Sequence, residues 1–436
     1  MPNPVSRPVH SSSTPPAGAV DGRRRRLLST PALATTLAAT LAGVGAPASV
    51  AAHTSGQRWS ATWGCAPAGP PPAAQLLSFT DQTLRLVVRP SIGGNRVRIR
   101  LSNQMGSTDL RIGRASIALR AGGAAIAAGS SRALTFGGRA GIVIPAGAPA
   151  LSDPVAFAVA PGADLAISLH LPGTVQASSI HPNAFQANYA STAGDHCGTL
   201  VLPQQRAFSS WPFLTEVDVD AAAPVLVAIG DSVTDGAGST SGTNRRWTDC
   251  LARRVQAELG GGRLAVVNRG ICANRMLADT GTTLHAGHDL LERFDRDVLA
   301  TAGVRAVAIL AGINDIVYSP AAAPIPAEAL FGGYLQLAER ARLHGLAVFG
   351  ATLPPFDGFV YCNPAREGVR QAVNAWMRST LPFDSLFDAD LALRDPDAPH
   401  KLNAAYDSGD HLHPNDAGYQ ALAEAIPLAA LASLLP

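Results

Sequence analysis

The spacing of apolar residues changes near residues 215–223, which predicts two regions with different folds. In the first region, apolar and polar residues alternate in Thr83–Arg89 and in Arg96–Leu101, and Gly93-Gly94-Asn95 supplies a turn between them. Alternation with a period of two is typical of strands with one buried face. In the second region, Pro224–Ile229 is apolar throughout, which is typical of a strand buried on both faces of a parallel sheet.

The first region contains further segments with strand-like composition, separated by glycine, proline and alanine. These segments are Ala115–Leu119, Gly141–Ile144, Val155–Val159 and Asp164–Leu171. Regularly spaced short strands with such turns predict a β-sandwich or a jelly-roll-like domain. We expect this domain to cover residues 53–220.

The second region alternates apolar strand candidates with segments of helical spacing. Strands are expected at Leu264–Val267, Val304–Leu310 and Leu346–Gly350, and helices at Arg245–Leu259, Ala327–His344, Ala365–Ser379 and Asn415–Leu435. Alternating strands and helices predict an α/β domain with a parallel sheet. We expect this domain to cover residues 221–436.

Residues 1–52 have the composition of an export signal. Arg23–Arg26 precede two leucines, an apolar run that reaches Gly45, and the small residues Ala46–Ala52. This pattern predicts a cleaved secretory signal of the twin-arginine type, and hence a periplasmic or secreted protein. A membrane anchor is the alternative, but the apolar run is short and is interrupted by Pro31, so it would span a bilayer poorly.

The charge of the chain argues against nucleic acid or anionic lipid as a partner. The formal net charge is +2, and residues 1–52 contain five arginines and one aspartate, so the chain without them is slightly acidic. Lys401 is the single lysine, whereas nucleic-acid-binding surfaces need clustered basic residues. We expect no stable membrane insertion after signal removal, because no later segment is apolar for long enough. The oligomeric state stays open.

Five cysteines follow the predicted signal, namely Cys65, Cys197, Cys250, Cys272 and Cys362. None belongs to a Cys-x-x-Cys pair or lies at metal-ligand spacing from a histidine, so we expect no zinc or other metal site. An oxidising compartment would permit two disulfides. Cys250 and Cys272 are both expected near the carboxyl ends of the strands, and a disulfide between them is our hypothesis. The other pairings stay open.

Four polar clusters follow predicted strands or precede the last predicted helix. They are Gly230–Gly236 (GDSVTDG), Asn268–Asn274 (NRGICAN), Gly312–Asp315 (GIND) and Asp410–Asn415 (DHLHPN). In an open α/β sheet, ligands bind beyond the carboxyl ends of the strands. The four clusters are therefore expected to form one site.

Each cluster supplies a group that acyl transfer requires. Ser232 lies at a strand-to-helix turn and is the candidate nucleophile. His413 can act as general base, and Asp410, three residues earlier, can orient its imidazole. The amide of Gly270 and the side-chain amide of Asn314 could stabilise an oxyanion. Such a mechanism needs no organic cofactor and no metal.

Together, the four clusters resemble blocks I, II, III and V of the SGNH (GDSL) hydrolases, in the same order. Ser232, Gly270, Asn314 and His413 occupy the four positions for which that superfamily is named. The resemblance covers about residues 223–436. It implies a flavodoxin-like fold and a catalytic triad that Asp410 completes.

The resemblance also implies an oxyanion hole formed by the amides of Ser232 and Gly270 and by the side chain of Asn314. The second cluster departs from the usual pattern, because the chain reads Ile271-Cys272-Ala273-Asn274 where a second glycine is common. We expect this departure to change the shape of the loop.

The whole chain resembles secreted two-domain esterases that act on plant polysaccharide or aryl esters. Trp59–Trp63 and Asn244–Trp247 carry this narrower resemblance. Our leading hypothesis for the whole chain is an esterase that removes short acyl groups, above all acetyl, from carbohydrate or simple esters. A lipase or arylesterase of broader chain length is one alternative, and a carbohydrate-binding protein on a hydrolase scaffold is another.

Single residues in the clusters also have ordinary structural explanations. A serine such as Ser232 often caps a helix, and the other candidates are common in turns. Their joint order along the chain favours catalysis. Asp231 and Asp235 are expected to support the nucleophile turn, His411 to be exposed or near the substrate, and Leu353–Phe356 to line an acyl pocket or form a rigid loop.

Overall fold

The alternating region forms antiparallel sheets in the computed structural model, which describes residues 58–72, 76–280 and 285–435. The predicted signal at residues 1–52 lies outside the described residues. The strands of this region are β1 (Ser60–Gly64), β2 (Ser78–Val88), β3 (Gly94–Ser102), β4 (Leu110–Ile112), β5 (Arg114–Gly122), β6 (Ala125–Ile126), β7 (Arg132–Leu134), β8 (Ile142–Ile144), β9 (Pro149–Leu151), β10 (Val155–Val159), β11 (Leu165–Gln176), β12 (Ile180–His181), β13 (Asn188–Ala193), β14 (Gln204–Phe208), β15 (Trp211–Pro212) and β16 (Leu214–Val219).

Two larger antiparallel sheets make up most of this region. One has the strand order β1-β16-β3-β10 with β9 beside β3, and the other has the order β14-β13-β2-β11-β5-β6 with β7 beside β5. Leu84 and Leu86 of β2 share a buried cluster with Ile99 and Leu101 of β3, so both sheets contribute side chains to the same core. This arrangement confirms the predicted sandwich-like region.

The turn expected at residues 93–95 lies slightly earlier in the chain. The bend is at residues 91–92, and β3 already begins at Gly94. Because β2 and β3 belong to different sheets, this bend carries the chain across the core and does not close a hairpin.

The second region is an α/β domain with a five-stranded parallel sheet. Its order is β18-β17-β19-β20-β21, and the ladders of β17 with β18 and with β19 are parallel. The strands are β17 (Val225–Gly230), β18 (Ala265–Gly270), β19 (Val304–Leu310), β20 (Ala347–Ala351) and β21 (Ser385–Phe387). This sheet confirms the predicted fold class. The short strand β21 was not predicted.

The helices lie between the strands and after the last one. They are α1 (Ser232–Asp235), α2 (Trp247–Glu258), α3 (Leu290–Phe294), α4 (Ile313–Val317), α5 (Ala327–Leu343), α6 (Pro364–Thr380), α7 (Ala389–Leu393), α8 (Asp416–Glu424) and α9 (Leu428–Ala432), and a π-helical turn (Asp295–Leu299) continues α3. The expectation of one helix over Asn415–Leu435 is wrong. Pro427 separates α8 from α9, because proline lacks the amide that would continue a helix.

The two regions pack against each other, and residues 55–436 cluster as one compact unit. Strand β1 lies beside β18, the edge strand of the parallel sheet. The amide of Ala61 donates to the carbonyl of Ala302 (2.8 Å), and the amide of Val266 donates to Ser91 Oγ (3.1 Å). These bonds fasten the β-region to the edge of the sheet that carries the candidate site. The domain limits at residues 53, 220 and 221 stay predictions.

None of the helices in the described part of the chain has both the length and the apolar character that a bilayer span requires.

Candidate active site

Ser232, His413 and Asp410 form one hydrogen-bonded row. Ser232 Oγ lies 2.8 Å from His413 Nε2, and His413 Nδ1 lies 2.5 Å from Asp410 Oδ2. Ser232 is only 5% exposed, whereas about half of the Asp410 side chain faces solvent. The structure therefore brings together the three residues that the sequence proposed as a triad.

Ser232 owes its position to the sharp turn between β17 and α1. Asp231 caps the helix by accepting a hydrogen bond from the amide of Val233 (3.0 Å). At Gly230, a Cβ atom would lie 2.1 Å from the carbonyl oxygen of Leu310 on the neighbouring strand. Only glycine fits at this position, so the strand can turn into the helix directly beside β19.

Burial raises the pKa of Asp231 to about 7, although the Val233 amide and the nearby His413 charge act in the opposite direction. Asp231 is 1% exposed and precedes the nucleophile directly. It supports the turn, as expected, and does so at an electrostatic cost when it is ionised.

Hydrogen bonds within the loop before α8 fix the position of His413. Asp410 Oδ1 accepts hydrogen bonds from the amides of Leu412 (3.0 Å) and His413 (2.8 Å). Partial burial alone would raise the pKa of Asp410, but the hydrogen bonds from His413 and its charge hold that pKa well below the usual range. Asp410 therefore stays ionised next to the imidazole.

A second histidine–aspartate pair lies in the same loop. His411 Nδ1 is 2.6 Å from Asp407 Oδ2, and the His411 ring packs over Gly358. The His411 side chain is 55% exposed, in agreement with the expectation that it faces solvent. Its other ring nitrogen has no hydrogen-bond partner among the described residues.

Asn314 and Asp315 lie at the start of α4, which begins beyond the end of β19. Asn314 Nδ2 donates to the carbonyl of Asn274 (3.0 Å), and one hydrogen of the same amide group is left for another acceptor. Asp315 accepts hydrogen bonds from the amides of Met276 (2.8 Å) and Leu277 (3.0 Å). The third cluster is thus hydrogen-bonded to the backbone at the end of the second cluster and just after it.

Gly270 does not present its amide in the way that we expected. Its N–H donates to Asn268 Oδ1 (2.8 Å), so the amide is not free to stabilise an oxyanion in this conformation. The glycine is required for packing, because a Cβ atom there would lie 2.2 Å from the Asp235 amide nitrogen. Gly270 therefore allows α1 to lie on the end of β18.

Ala273 presents an amide in the same loop that has no acceptor among the described residues. The amide of Asn274 donates to the carbonyl of Ile271 (3.1 Å), which closes a four-residue turn around Cys272 and Ala273. Ala273 has a φ of 59°, the left-handed conformation that favours glycine at the third position of such a turn. This is where the sequence lacks the second glycine.

Two buried residues that the sequence analysis did not single out support the strand ends. Arg293 donates to the carbonyls of Arg269 (2.8 Å) and Gly230 (2.9 Å), and it pairs with Asp297 (3.0 Å). Burial lowers the pKa of Arg293 to about 10, against the opposing effect of Asp297. Arg293 lies on α3 outside any cluster, so no sequence signal indicated this role.

The expected disulfide between Cys250 and Cys272 is wrong, because all five cysteines are free thiols in the structure. Cys250 Sγ instead contacts Arg253 (3.1 Å), and the Cys272 amide donates to Asp235 Oδ2 (2.9 Å). Burial raises the pKa of Cys250 to about 11 and that of Cys272 well above the usual thiol range.

Apolar side chains pack beside the triad. Ile313, Val317, Phe356 and Leu412 form one small cluster, in which each side chain is 5% exposed or less. Ile313 precedes Asn314 and Leu412 precedes His413, so the cluster adjoins the candidate site. Leu353–Phe356 is buried throughout, and Phe356 is its member of this cluster, whereas Leu353 packs in the main core.

One group of side chains in the described ranges could hold a metal ion. It consists of Asp279, His288 and Glu292, whose ligand atoms lie within 4.8 Å of one another. None of the three contacts the triad in a hydrogen bond.

Residues 228–421 match the model of the GDSL-like lipase/acylhydrolase family. This range contains all four clusters, four of the five parallel strands with the end of β17, and the serine–histidine–aspartate row. The C-terminal part of the chain is therefore a GDSL-like (SGNH) domain, and the protein is an esterase of the carboxylic ester hydrolase class. A comparison with curated protein sequences gives no match.

Several solved structures are similar to about half of this chain. A carbohydrate acetylesterase from Sinorhizobium meliloti is 17% identical, with a TM-score of 0.35 over 48% of this chain and 99% of that chain. An acetyl xylan esterase is 17% identical, with a TM-score of 0.36 over 48% and 99%. A GDSL-like lipase from Bacteroides thetaiotaomicron is 16% identical, with a TM-score of 0.33 over 48% and 87%.

Replacement of Asp231 by asparagine should stabilise the protein in alkaline but not in acidic solution. Because burial raises the pKa of Asp231, wild type loses stability as the pH rises from about 4 to about 7, whereas asparagine keeps the cap without titrating. Urea unfolding at about pH 8 should show a gain on the order of 1–3 kcal/mol for Asp231→Asn, and none at about pH 4.

Asp410→Asn is the matched control, for which the change in the free energy of unfolding should have the opposite sign. Its lowered pKa means that ionised Asp410 stabilises the native state above its unfolded pKa, so this variant should lose stability at about pH 8 and recover it in acid. A gain for Asp231→Asn that is equal at both pH values would contradict the interpretation.

Proposed function

We propose that Ser232 is the nucleophile of ester hydrolysis, with His413 as general base and Asp410 as its orienting carboxylate. The observation that carries this proposal is the continuous row of hydrogen bonds from Ser232 Oγ to Asp410. The ionised Asp410 keeps the proton of His413 on Nδ1, which leaves Nε2 as the acceptor for the serine hydroxyl.

In the first half of the reaction, Ser232 Oγ attacks the ester carbonyl carbon while its proton moves to His413 Nε2. The tetrahedral intermediate then collapses, the alcohol takes that proton, and an acyl-serine remains. In the second half, His413 takes a proton from water, the hydroxide oxygen attacks the acyl group, and Ser232 leaves with the proton as the acid is released.

The negative charge of the intermediate needs donors near Ser232. The amide of Ser232 lies at the start of α1 and has no acceptor within the helix. The free hydrogen of Asn314 Nδ2 and the amide of Ala273 are the other donors that we propose. Ala273 takes this role in place of Gly270, because Asn268 already occupies the Gly270 amide.

We further propose that the acyl group is short, above all acetyl. The apolar cluster of Ile313, Val317, Phe356 and Leu412 is closed, so a long chain would find little apolar surface beside the triad. The loop that carries His413 instead presents polar side chains to solvent, such as His411. These features suit an alcohol with many hydroxyl groups better than a lipid.

An exposed group of aromatic rings supports a carbohydrate substrate. Tyr361 lies near both Phe359 (ring centroids 5.5 Å apart) and Tyr318 (6.1 Å), and we call these three residues the aromatic ledge. Tyr361 is 46% exposed and Tyr318 is 38% exposed. Tyr318 follows α4 directly, and Phe359 packs against the cluster beside the triad, so the ledge adjoins the site. Flat rings with a polar hydroxyl suit contact with sugar faces.

Export is also part of the proposal. Residues 1–52 support it through their arginine cluster, apolar run and small residues. An exported esterase of this kind would meet acylated polysaccharide outside the cytoplasm.

The full chain should hydrolyse 4-nitrophenyl acetate and lose that activity in Ser232→Ala, by a factor on the order of 10⁴ or more in kcat. Across a series from acetate to decanoate, kcat/KM should fall as the chain lengthens, because the closed cluster excludes long acyl groups. Equal rates in wild type and Ser232→Ala would refute the nucleophile, and a maximum at decanoate would favour a lipase.

Tyr361→Ala should raise KM for acetylated xylo-oligosaccharide by roughly threefold to tenfold, since ring contacts of this kind contribute about 1 kcal/mol. Hydrolysis of ethyl acetate, which is too small to reach the ledge, should stay within about twofold of wild type. Val360→Ala is the matched control, because Val360 is an exposed neighbour without a ring. Equal KM values for all three proteins would exclude the ledge as a sugar site.

A further inference from the structure

A histidine of the β-region reaches the end of the nucleophile helix. His181 lies on the two-residue strand β12, which pairs with β15. Its Nε2 is 3.0 Å from Asp235 Oδ1, and both side chains are almost fully buried. Asp235 is the last residue of α1, the helix that begins with Ser232. The two regions therefore meet in a buried contact one helical turn from the nucleophile.

Both ring nitrogens of His181 face hydrogen-bond acceptors. Nδ1 lies 2.9 Å from the carbonyl oxygen of Ala66, and Nε2 lies near the Asp235 carboxylate and the carbonyl oxygen of Asn183 (3.2 Å). Carbonyl oxygens cannot donate, so a fully satisfied ring carries a proton on each nitrogen. Burial alone would lower the pKa of His181, but the charge of Asp235 and these hydrogen bonds raise it. The contact is thus a buried ion pair.

The other oxygen of Asp235 holds the loop of the second cluster. Asp235 Oδ2 accepts a hydrogen bond from the amide of Cys272 (2.9 Å), and the Asp235 backbone carbonyl accepts one from Arg246 Nε (3.1 Å). One carboxylate therefore joins His181 on one side to the loop on the other. Because the two contacts share that carboxylate, its orientation depends on both.

The loop needs this external contact, since its own conformation is strained. Ala273 adopts a left-handed φ of 59°, which costs an alanine about 1 kcal/mol. The amide of Cys272, which Asp235 holds, immediately precedes the amide of Ala273. A shift of the Cys272 peptide would therefore move the Ala273 N–H as well.

We propose that His181 is a positioning residue for ester hydrolysis, which holds Asp235 so that the Cys272 amide, and with it the Ala273 oxyanion donor, keeps its place. This inference rests on the proposed esterase function. It makes the β-region part of the active site, through one side chain that contacts neither substrate nor Ser232.

Two substitutions separate this role from simple packing between the regions. In His181→Gln, the amide nitrogen reaches about where Nε2 lies, so the donor to Asp235 is kept and the donor to Ala66 is lost. In His181→Asn, the amide nitrogen lies about where Nδ1 lies, so the donor to Ala66 is kept and the donor to Asp235 is lost. Gln256→Ala is the control, because Gln256 donates across the same interface to the Ser91 carbonyl (2.7 Å) without contacting Asp235.

With 4-nitrophenyl acetate, His181→Asn should lower kcat by roughly tenfold to a hundredfold, with KM nearly unchanged, which is at least two orders of magnitude less than the loss expected for Ser232→Ala. His181→Gln should retain kcat within about fivefold, and Gln256→Ala should match wild type. If His181 only packs the regions together, Asn and Gln should lower kcat equally, or Gln should be worse. Either of these results would overturn the proposal.

A second readout does not require esterase activity. Cys272 is half-buried, and burial raises the pKa of its thiol well above the usual range, which slows alkylation while the loop is held. Iodoacetamide should therefore alkylate it faster in His181→Asn than in His181→Gln or wild type, as peptide mass mapping would show. Cys65, buried in the β-region, serves as the internal reference for general unfolding. Equal Cys272 rates in both variants would refute the positioning role, whereas an inactive wild type with unequal rates would refute only the esterase function.

If both histidine variants fail to fold, Asp235→Asn tests the same contact from the other side. Asparagine has one acceptor oxygen and cannot serve His181 and Cys272 together, so the variant should show the same loss of kcat and the same faster alkylation of Cys272. Wild-type kcat in folded Asp235→Asn would overturn the proposal.

Discussion

The close approach of α1 to the end of β18 is the constraint on which the candidate site depends. It requires the missing side chain of Gly270, because a Cβ atom there would overlap the amide of Asp235. The same approach brings the Asp235 carboxylate within reach of the second loop and of His181. A larger residue at position 270 would separate the nucleophile helix from the oxyanion loop, and the remaining contacts would then lose their geometry.

Buried charges hold the strand ends around this approach. Arg293 spans the carbonyls at the ends of β17 and β18 and pairs with Asp297, while Arg269 reaches into the β-region to pair with Glu216. Removing one partner of a buried pair leaves an uncompensated charge, which costs far more than a surface pair contributes. The Arg269–Glu216 pair therefore helps to specify one arrangement of the two regions, and the Arg293 contacts fix the strand ends within the α/β domain.

Much of the fold and of the site could be predicted because the signals are local. The apolar runs of the parallel strands, and the three-residue spacing of Asp410 and His413, depend on neighbours in sequence. The rest depends on distant contacts. The roles of His181 and Arg293 arise only when the two regions and α3 pack together. The Gly270 amide is directed by a near neighbour, Asn268, but that bond depends on a side-chain orientation that no sequence pattern gives. The short strand β21 was missed because three residues are too few to show a periodic pattern. The break between α8 and α9 was missed although Pro427 is itself a local signal for it.

The most direct test of the central claim is covalent labelling of Ser232 by diethyl 4-nitrophenyl phosphate. An activated serine attacks the phosphorus and releases 4-nitrophenol, and the diethyl phosphoryl group then stays on its oxygen. The account predicts an adduct on the Ser232 peptide of wild type, and labelling slowed by orders of magnitude in folded His413→Gln, since the base is lost. An adduct on another residue, or equal labelling of Ser232 in both proteins, would contradict it.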